Sequence, residues 1–281
     1  MEKDGISKSA RLLWKLSCFF RKFIVSTLSV GPIPTHVAFI MDGNRRYAKQ
    51  RNLKEGEGHN AGYLALKFMV YYCLELGIKH VTAYAFSIDN FKRSPEEVQR
   101  IMDLMVEKIE EELSEVDNTY SKMGIRIHFS GNLELLSQPT KDAVKKLMAA
   151  TAKNSKVLLT ICFAYTSTNE IVHAIEQTCQ QKLADQMELE EPNSAGKGNH
   201  VVVKLADIEK HMYMAVAPDP DIIIRTSGES RLSNFLLWQS ANCSLICFSQ
   251  LWPAISFWHL LWAVLKFQRN YFYFEKKKKQ I

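Results

Sequence analysis

The sequence predicts an α/β fold, a single domain with a mostly parallel six-stranded sheet flanked by helices. Two patterns predict it: six short runs are rich in β-branched and aromatic residues, and longer segments with helical periodicity lie between them. Strands that alternate with helices are typical of a parallel sheet, because each helix returns the chain to the end at which the next strand begins. The 281 residues, 47% of them hydrophobic and 23% charged, are enough to bury a full core.

The predicted strands are the following β-rich runs: Thr35 to Met41, His80 to Phe86, Ile125 to Ser130, Val157 to Ala164, Asp221 to Arg225 and Ser244 to Phe248. The segments between and after these runs predict five helices: Asn60 to Leu76, Ser94 to Val116, Thr140 to Ala152, Ser167 to Leu183 and Trp258 to Phe267. Ser94 gives the second helix the clearest start, since Pro95 follows it and Glu97 stands three residues later, as in a capping box. The polar segment Gln186 to His200 is either a surface loop or a weak domain boundary, and we favour the loop.

Residues 1–30 form a segment of different character. No Asp or Glu occurs from Gly5 to Met41, and one helical face is apolar while another is basic, with the apolar face made of Leu12, Leu16, Phe19, Phe20, Phe23 and Ile24. This pattern is typical of a helix that lies on an anionic membrane. The alternatives are a helix that packs on the protein itself or on a partner, and a signal peptide, which Arg21 and Lys22 disfavour. We therefore divide the chain into this segment, a domain over 31–270 and a basic tail over 271–281.

Composition excludes several classes. The sequence contains no uninterrupted run of 18 apolar residues, so no transmembrane helix is predicted. The six cysteines include no C-x-x-C pair, so we expect reduced thiols in a cytosolic protein rather than zinc ligands or disulfides. The net charge of +6 is scattered, without a basic stripe interleaved with aromatic residues, so no nucleic-acid partner is expected. The sequence also contains no G-x-x-x-x-G-K-[ST] loop and no D-D-x-x-D motif.

Polar and basic residues are concentrated where three predicted strands end: Asp42 to Tyr47, Ser87 to Arg93, and Arg225 to Glu229 followed by Arg231 to Asn234. The carboxyl ends of parallel strands meet at one edge of a sheet, where open α/β folds bind ligands. Arginine forks hold phosphate oxygens in a bidentate manner, and backbone N–H groups at a helix N-terminus after Gly43 would add positive potential. This edge therefore predicts a phosphate or diphosphate site.

Asp42 and His59 have two interpretations each. A lone carboxylate among cations fits Mg²⁺ bound together with phosphate oxygens, but Asp42 taken alone is more simply a helix N-cap. His59, between Gly58 and Gly62, is a candidate general acid or base, or a donor to a diphosphate, because histidine titrates near neutral pH. A structural role for this histidine remains the alternative.

At these residues the sequence resembles the cis-prenyltransferases, also called undecaprenyl or dehydrodolichyl diphosphate synthases. The resemblance covers Gly31 to Asn270 and is carried by three signatures: His36 to Ala48 with the helix start Gly58-His59-x-x-Gly62, Tyr84 to Arg93, and Pro220 to Gly228 with Arg231 to Gln239. It implies a reaction in which an allylic diphosphate loses pyrophosphate with the help of Mg²⁺. The double bond of isopentenyl diphosphate then attacks, and repetition gives a cis-polyprenyl diphosphate.

The resemblance also implies roles for individual residues. Asp42 would hold Mg²⁺, and the allylic diphosphate would be bound by Gly43, Asn44, Arg45 and Arg46. Isopentenyl diphosphate would be bound by Arg225, Arg231 and Ser233, and the reacting centre would be lined by His59, Ser87, Asn90 and Arg93, with the first three catalytic beside Asp42. An apolar product tunnel would lie between the sheet and the helices Gly62 to Leu76 and Ser94 to Val116. Some of its wall would come from Leu66, Phe68, Met69, Val98, Ile101, Met105 and Ile109.

The sequence departs from the bacterial pattern at three places. Ser244 stands where bacterial members have a metal-binding Glu, Glu55 stands where many members have a diphosphate-binding Arg, and the tail after Gln268 has no R-x-G segment. The resemblance is therefore to the catalytic subunit of the eukaryotic two-subunit type, similar to plant long-chain and rubber-forming members. It implies a Nogo-B-receptor-like homologue as second subunit and a peripheral location on the cytoplasmic face of the endoplasmic reticulum. The alternative is a non-catalytic subunit, but such subunits typically lose the Asp and keep the R-x-G.

Overall fold

The computed structural model describes residues 19–54, 56–114, 119–189 and 202–278. Six strands form one sheet in the order β3-β4-β2-β1-β5-β6, and every neighbouring pair is parallel. Their bounds are β1 His36–Ile40, β2 His80–Ser87, β3 Ile125–Ser130, β4 Val157–Tyr165, β5 Ile222–Arg225 and β6 Ser244–Cys247. The predicted fold class and all six predicted strands are confirmed.

Nine helices lie in the described part of the chain: α1 19–28, α2 Asn44–Gln50, α3 Glu57–Glu75, α4 Pro95–Ser114, α5 Thr119–Met123, α6 Gln138–Thr151, α7 Ser167–Leu189, α8 Leu205–Glu209 and α9 Phe257–Lys278. The five predicted helices of the domain are present. Helix α9 continues past the predicted end at Phe267, so the proposed start of the tail at 271 falls inside a helix. Most of the predicted polar loop, 190–200, lies outside the described residues.

The sheet is covered on both faces, as the parallel arrangement requires. In β1 all five residues are buried, and alternate side chains point to opposite faces. Val37 and Phe39 join the larger core, which is completed by apolar residues of α3, α4, α6 and α9. Ala38 and Ile40 join a smaller core on the other face. These two layers fix the strands on which the polar loops stand.

Strand order brings the predicted polar loops together. Strand β1 lies between β2 and β5, and all three run in the same direction. The loops that follow them therefore meet at one edge of the sheet, as predicted from the sequence.

Helix α1 packs on the protein itself in its described part. Arg21 Nε lies 2.8 Å from Glu75 Oε2 of α3, and Gln268 of α9 donates from Nε2 to the Leu28 carbonyl oxygen at 2.8 Å. The opposite side of this helix carries three phenylalanines, each at least 60% exposed: Phe19, Phe20 and Phe23. The part of this predicted amphipathic helix that precedes residue 19 lies outside the described residues. Among the described helices, none is long and apolar enough to cross a membrane.

Candidate active site

Asp42 lies directly after β1, and both its backbone and its carboxylate are held in place. Thr226 Oγ1 accepts from the Asp42 backbone N–H at 3.1 Å and donates to the Asp42 carbonyl oxygen at 2.7 Å. Arg225 Nη2 donates to Asp42 Oδ2 at 2.8 Å, and Arg46 Nη2 donates to Oδ1 at 3.3 Å. Burial alone would raise the pKa of Asp42, but the hydrogen bond and charge of Arg225, with the charge of Arg46, outweigh it and hold the pKa below its usual value. The carboxylate is ionised at neutral pH.

The N-cap interpretation of Asp42 does not describe its position. Helix α2 begins at Asn44, and the residue before it, Gly43, has φ of 115° and makes no side-chain cap. This φ favours glycine because a Cβ is strained in that region, and a Cβ here would also lie 2.9 Å from Leu251. The Asp42 carboxylate thus accepts from the guanidinium groups of Arg225 and Arg46 and is not the N-cap of α2.

Arg225 is the buried cation of the site, with 3% of its surface exposed. Its Nη1 donates to Ser233 Oγ at 2.7 Å and to the Arg231 carbonyl oxygen, while its Nη2 donates to Asp42. Its Nε is buried and finds no hydrogen-bond partner within the described residues. Arg225 therefore joins the ends of β1 and β5 to the loop that carries two other predicted substrate-binding residues.

Arg45 and Arg93 share one carboxylate that the sequence analysis did not assign to the site. Arg93 Nη1 lies 2.9 Å from Glu97 Oε1, and Arg45 Nη1 lies 3.6 Å from the same oxygen. Ser94 does cap α4, since its Oγ accepts from the Glu97 N–H at 3.3 Å. The Glu97 carboxylate turns to the two arginines instead of completing the capping box.

Ser87 and Asn90 form a capping box of their own at the end of β2. Ser87 Oγ accepts from the Asp89 N–H at 3.1 Å, and Asn90 Oδ1 accepts from the Ser87 N–H at 3.1 Å. The oxygen of Asn90 is therefore engaged, and the group that it can offer to a diphosphate is its Nδ2 donor.

His59 lies in the first turn of α3, which packs closely on α2. A Cβ at Gly58 would lie 2.3 Å from the Asn44 carbonyl oxygen, so this approach of the two helices needs glycine there. A Cβ at Gly62 would lie 2.4 Å from Asn44 Oδ1 and would displace the Asn44 side chain from its position at the cleft. Burial, followed by the positive charge of Arg93, lowers the pKa of His59. The imidazole is neutral at pH 7 and can act as a hydrogen-bond donor without adding charge.

The loop from 231 to 239 is strained and is held by the start of α7. Three of its residues have positive φ: Ser233 at 52°, Asn234 at 58° and Leu236 at 47°. Ser167 donates its N–H to the Asn234 carbonyl oxygen at 2.8 Å and accepts at Oγ from the Leu237 N–H at 2.8 Å. The fully buried Glu170 accepts from the Tyr165 hydroxyl, from the Met214 N–H at 2.8 Å and from Gln239 Nε2 at 3.2 Å.

Every predicted site residue lines one of two adjoining spaces, which we call the polar cleft. One part, of about 580 Å³, is lined by Asp42, Asn44, Arg45, His59, Ser87, Asn90, Arg93, Arg225, Arg231 and Ser233. The other part, of about 550 Å³, adds Gly43 and Arg46. The structure therefore brings together all twelve predicted residues, although their roles in the reaction stay predictions.

An apolar cavity of about 150 Å³ adjoins the polar cleft, with Asn44 and His59 in the walls of both. Four residues expected at a tunnel wall line this cavity: Leu66, Ile101, Met105 and Ile109. Phe68 is instead 58% exposed on the outside of α3, and Met69 lies in the core. The arrangement offers an anion-binding cleft that opens into an apolar space.

Of the two residues that depart from the bacterial pattern, Ser244 lies in the described part of the chain. Ser244 begins β6 and pairs with Ile222 at the amino end of β5, whereas Asp42 lies at the opposite edge of the sheet. Position 244 of this chain is thus not beside Asp42, and Glu55 lies outside the described residues. No cluster of three His, Cys, Asp or Glu side chains that could hold a metal occurs in the part of the chain that the structure describes.

Comparisons with known proteins identify the family. A prenyltransferase family model described as undecaprenyl diphosphate synthase matches residues 40–275. The chain is 51% identical to a dehydrodolichyl diphosphate synthase of Solanum lycopersicum, with 100% of both chains covered, and 48% identical to a rubber cis-polyprenyltransferase of Hevea brasiliensis, covering 96% of this chain and 95% of the relative. It is 40% identical to a human dehydrodolichyl diphosphate synthase complex subunit, covering 92% of this chain and 74% of the relative.

The fold has solved counterparts. Lavandulyl diphosphate synthase from Lavandula x intermedia, solved with dimethylallyl diphosphate, matches with a TM-score of 0.73 and 28% identity over 84% of this chain and 95% of that one. Sequence, fold and the contents of the cleft agree, and the chain belongs to the undecaprenyl diphosphate synthase family of cis-prenyltransferases.

Proposed function

We propose that this chain is a cis-prenyltransferase that adds isopentenyl diphosphate units to an allylic diphosphate such as farnesyl diphosphate. Its product is a long-chain cis-polyprenyl diphosphate of the dehydrodolichyl or rubber type, as the names of its relatives suggest. The observation that carries the proposal is the junction at Asn44 and His59, where a cleft lined by arginines opens into an apolar cavity. A prenyl diphosphate has the same two parts, an anionic head and an apolar chain.

The arginines divide into one buried cation and three exposed ones. Arg225 is buried and bonded on three sides, so it stays in place when substrate binds. The side chains of Arg45, Arg46 and Arg231 are 66%, 50% and 63% exposed, and each lies near a carboxylate. These three are free to turn from a carboxylate to a phosphate oxygen. Their charges then stabilise the negative charge that develops on the leaving pyrophosphate.

Asp42 fits a Mg²⁺ ion that arrives with a diphosphate. The ion prefers one or two carboxylates together with phosphate oxygens and water, and Asp42 offers one ionised, partly exposed carboxylate at the wall of the cleft. Bound there, Mg²⁺ would neutralise charge on the diphosphate and so favour its departure. Asp42 would orient the ion, and Arg225 and Thr226 would keep Asp42 in place.

Within this proposal, the chain works with a second subunit and on a membrane. The human and Saccharomyces cerevisiae relatives are named as subunits of a dehydrodolichyl diphosphate synthase complex, which supports a Nogo-B-receptor-like partner. Three exposed phenylalanines of α1, in a segment without acidic residues, support contact with the cytoplasmic face of the endoplasmic reticulum.

Incorporation of labelled isopentenyl diphosphate into farnesyl diphosphate tests the proposal. The purified chain is assayed with Mg²⁺, with and without the partner subunit, and the product is sized. We expect Asp42→Ala to lose nearly all turnover while its circular dichroism spectrum is unchanged. Asp142→Ala, which removes an exposed carboxylate of α6 that lines neither part of the polar cleft, is the control and should keep its turnover. Near-normal turnover in Asp42→Ala would remove the metal assignment, and no product from the unaltered chain under either condition would support the non-catalytic alternative.

A further inference from the structure

Helix α9 carries apolar residues on two opposite sides. Its inner side is buried in the larger core and consists of Phe257, Leu260, Ala263, Val264 and Phe267. Its outer side is exposed and follows a spacing of three or four residues through Trp258, Trp262, Leu265, Arg269, Phe272 and Lys276. A helix on a protein surface normally presents polar residues outward, but this outer stripe runs for about 27 Å and is mostly aromatic and aliphatic. No described part of the chain covers it.

Helix α3 continues the exposed surface. Both α3 and α9 cover the same face of the sheet, since the buried sides of both contribute to the larger core. The outer side of α3 exposes Leu64 and Phe68. Aromatic rings join the two helices: Phe68 stacks on Tyr72 with ring centroids 6.5 Å apart, and Tyr72 meets Phe257 edge-on at 5.3 Å. The outer sides of α3 and α9 therefore face the same way, away from the sheet.

Helix α1 packs against these two helices. The guanidinium carbon of Arg21 lies 5.4 Å from the ring centroids of Tyr71 and Tyr72 on α3, and the Leu28 carbonyl oxygen accepts from Gln268 on α9. The three exposed phenylalanines of α1 thus adjoin the outer sides of α3 and α9. We call this combined surface the aromatic face: the phenylalanines of α1, Leu64 and Phe68 of α3, and the outer stripe of α9.

The charges around the aromatic face are mostly positive. The described part of α1 contains Arg21 and Lys22 and no acidic residue. Helix α9 contains one acidic residue and five Lys or Arg residues. One of these, Lys266, places its Nζ 5.7 Å from the ring centroid of the exposed Trp262. An anionic partner fits this surface, whereas a second copy of the same positive face is disfavoured by repulsion.

A lipid surface matches the residue types of the aromatic face. Tryptophan and tyrosine rings favour the boundary between acyl chains and headgroups, because one end of each ring is apolar and the other is polar. Lys and Arg beside them contact anionic headgroups. No described helix is long and apolar enough to cross a membrane. The geometry of an exposed stripe along one side of a helix suits a helix that lies in the plane of the bilayer surface.

We propose that the aromatic face docks on an anionic lipid bilayer, with the outer sides of α1, α3 and α9 against the lipid. This inference rests on the proposed function, which includes a membrane contact by α1, and it adds α3 and α9 to that contact. Binding of such helices strengthens with the apolar area that they bury and with their attraction to anionic lipids. Neither α1 nor α9 alone therefore holds the protein on the bilayer, and loss of either releases it.

Sedimentation with vesicles tests this inference. The full chain is mixed with vesicles of phosphatidylcholine and phosphatidylserine, or of phosphatidylcholine alone, and the bound fraction is measured after centrifugation. Trp258→Ser/Trp262→Ser removes two rings of the outer stripe, and Arg269→Gln/Lys276→Gln removes two of its charges.

The matched control changes two exposed apolar residues on the opposite side of the sheet. Val172 and Ile175 of α7 are 47% and 43% exposed, and α7 contacts the smaller core through the bond of Glu170 to Met214. Val172→Ser/Ile175→Ser should therefore leave vesicle binding unchanged.

We expect Trp258→Ser/Trp262→Ser to weaken binding to the anionic vesicles at least about tenfold. Arg269→Gln/Lys276→Gln should weaken binding to the anionic vesicles and leave the weaker binding to phosphatidylcholine unchanged. The circular dichroism spectra should be unaltered. The rate of condensation without vesicles should stay within about twofold, because none of these four residues lines the polar cleft.

Binding of folded Trp258→Ser/Trp262→Ser equal to that of the unaltered chain would overturn the aromatic face. Release of Phe20→Ser/Phe23→Ser in the same assay would then leave the contact of α1 standing alone. Loss of co-purification with the partner subunit, with vesicle binding retained, would assign the stripe to a protein interface and also overturn the inference. An unaltered chain that sediments with neither kind of vesicle would overturn this inference together with the membrane contact, while condensation measured without vesicles still decides the proposed reaction.

Discussion

Glu170 offers a strong test of how the substrate-binding loop is held. Its carboxylate is fully buried and accepts three hydrogen bonds, from the Tyr165 hydroxyl, the Met214 N–H and Gln239 Nε2. Glu170→Ala removes the acceptor of the buried Met214 N–H, and it leaves the Tyr165 hydroxyl and Gln239 Nε2 with only the longer contacts to Ser167 Oγ at 3.4 Å and Met212 Sδ at 3.6 Å. Each buried polar group that loses its partner costs about 1–3 kcal/mol. Water that enters the space recovers part of this, so we expect unfolding free energy to fall by about 3–5 kcal/mol.

Glu170→Gln separates the packing of this side chain from its hydrogen bonds. The glutamine keeps the volume and one acceptor oxygen but places an NH₂ group against one of the three donors. We therefore expect a smaller loss, of about 1–3 kcal/mol. The exposed Glu176 of the same helix, changed to Gln, is the control and should lose less than about 0.5 kcal/mol.

Unfolding in urea, followed by circular dichroism, gives the free energies, and steady-state kinetics gives the effect on the site. Because Gln239 ends the loop that carries Arg231 and Ser233, Glu170→Gln should raise the KM for isopentenyl diphosphate more than the KM for the allylic substrate. A loss below about 1 kcal/mol in Glu170→Ala would refute the hydrogen-bond argument. Equal changes in both KM values would refute the link to the loop.

Three further outcomes are expected. Arg231→Ala should raise the KM for isopentenyl diphosphate at least about tenfold, since it removes an exposed guanidinium from the polar cleft, and an unchanged KM and kcat would contradict its role. Burial and nearby arginines lower the pKa of His59 below its ordinary value of 6.5, so the neutral imidazole predominates from pH 8 to 6.5. Turnover should hold over that range and fall at lower pH as the imidazole becomes protonated. His59→Gln should remove that fall, and an identical profile would exclude His59 as its cause. Deletion of Met1 to Val30 should release the chain from sedimenting membranes while some chemistry remains, and unchanged pelleting would contradict the membrane contact.

The strands and the position of the site could be predicted because they depend on local pattern. Runs such as Val157–Tyr165 are apolar and bounded by turns, and a parallel sheet necessarily gathers the residues that follow its strands. The sequence predicts a helix start after Gly43, and α2 begins there, but its length could not be predicted because seven residues carry little periodicity. The capping role of Ser87 and Asn90 had a local signal, a Ser three residues before an Asn, that the functional interpretation obscured.

The buried carboxylates could not be predicted in the same way. Glu112 is paired with side chains 45 and 49 positions earlier, and Glu170 with groups 44 and 69 positions later. In the sequence each looks like an ordinary charged residue of an amphipathic helix. Only the packing of distant segments shows that these two carboxylates face inward.

The sharing of carboxylates by arginines has a consequence for how the cleft selects its ligands. Asp42 holds Arg46 and Arg225, and Glu97 holds Arg45 and Arg93. Substrate binding is therefore in part an exchange, in which a guanidinium leaves a carboxylate for a phosphate oxygen. An exchange releases few counterions, so affinity for the diphosphate should depend on ionic strength less steeply than the number of arginines suggests. A weakly charged anion cannot compete with a carboxylate already in place, and the cleft discriminates in favour of ligands that carry several negative charges close together.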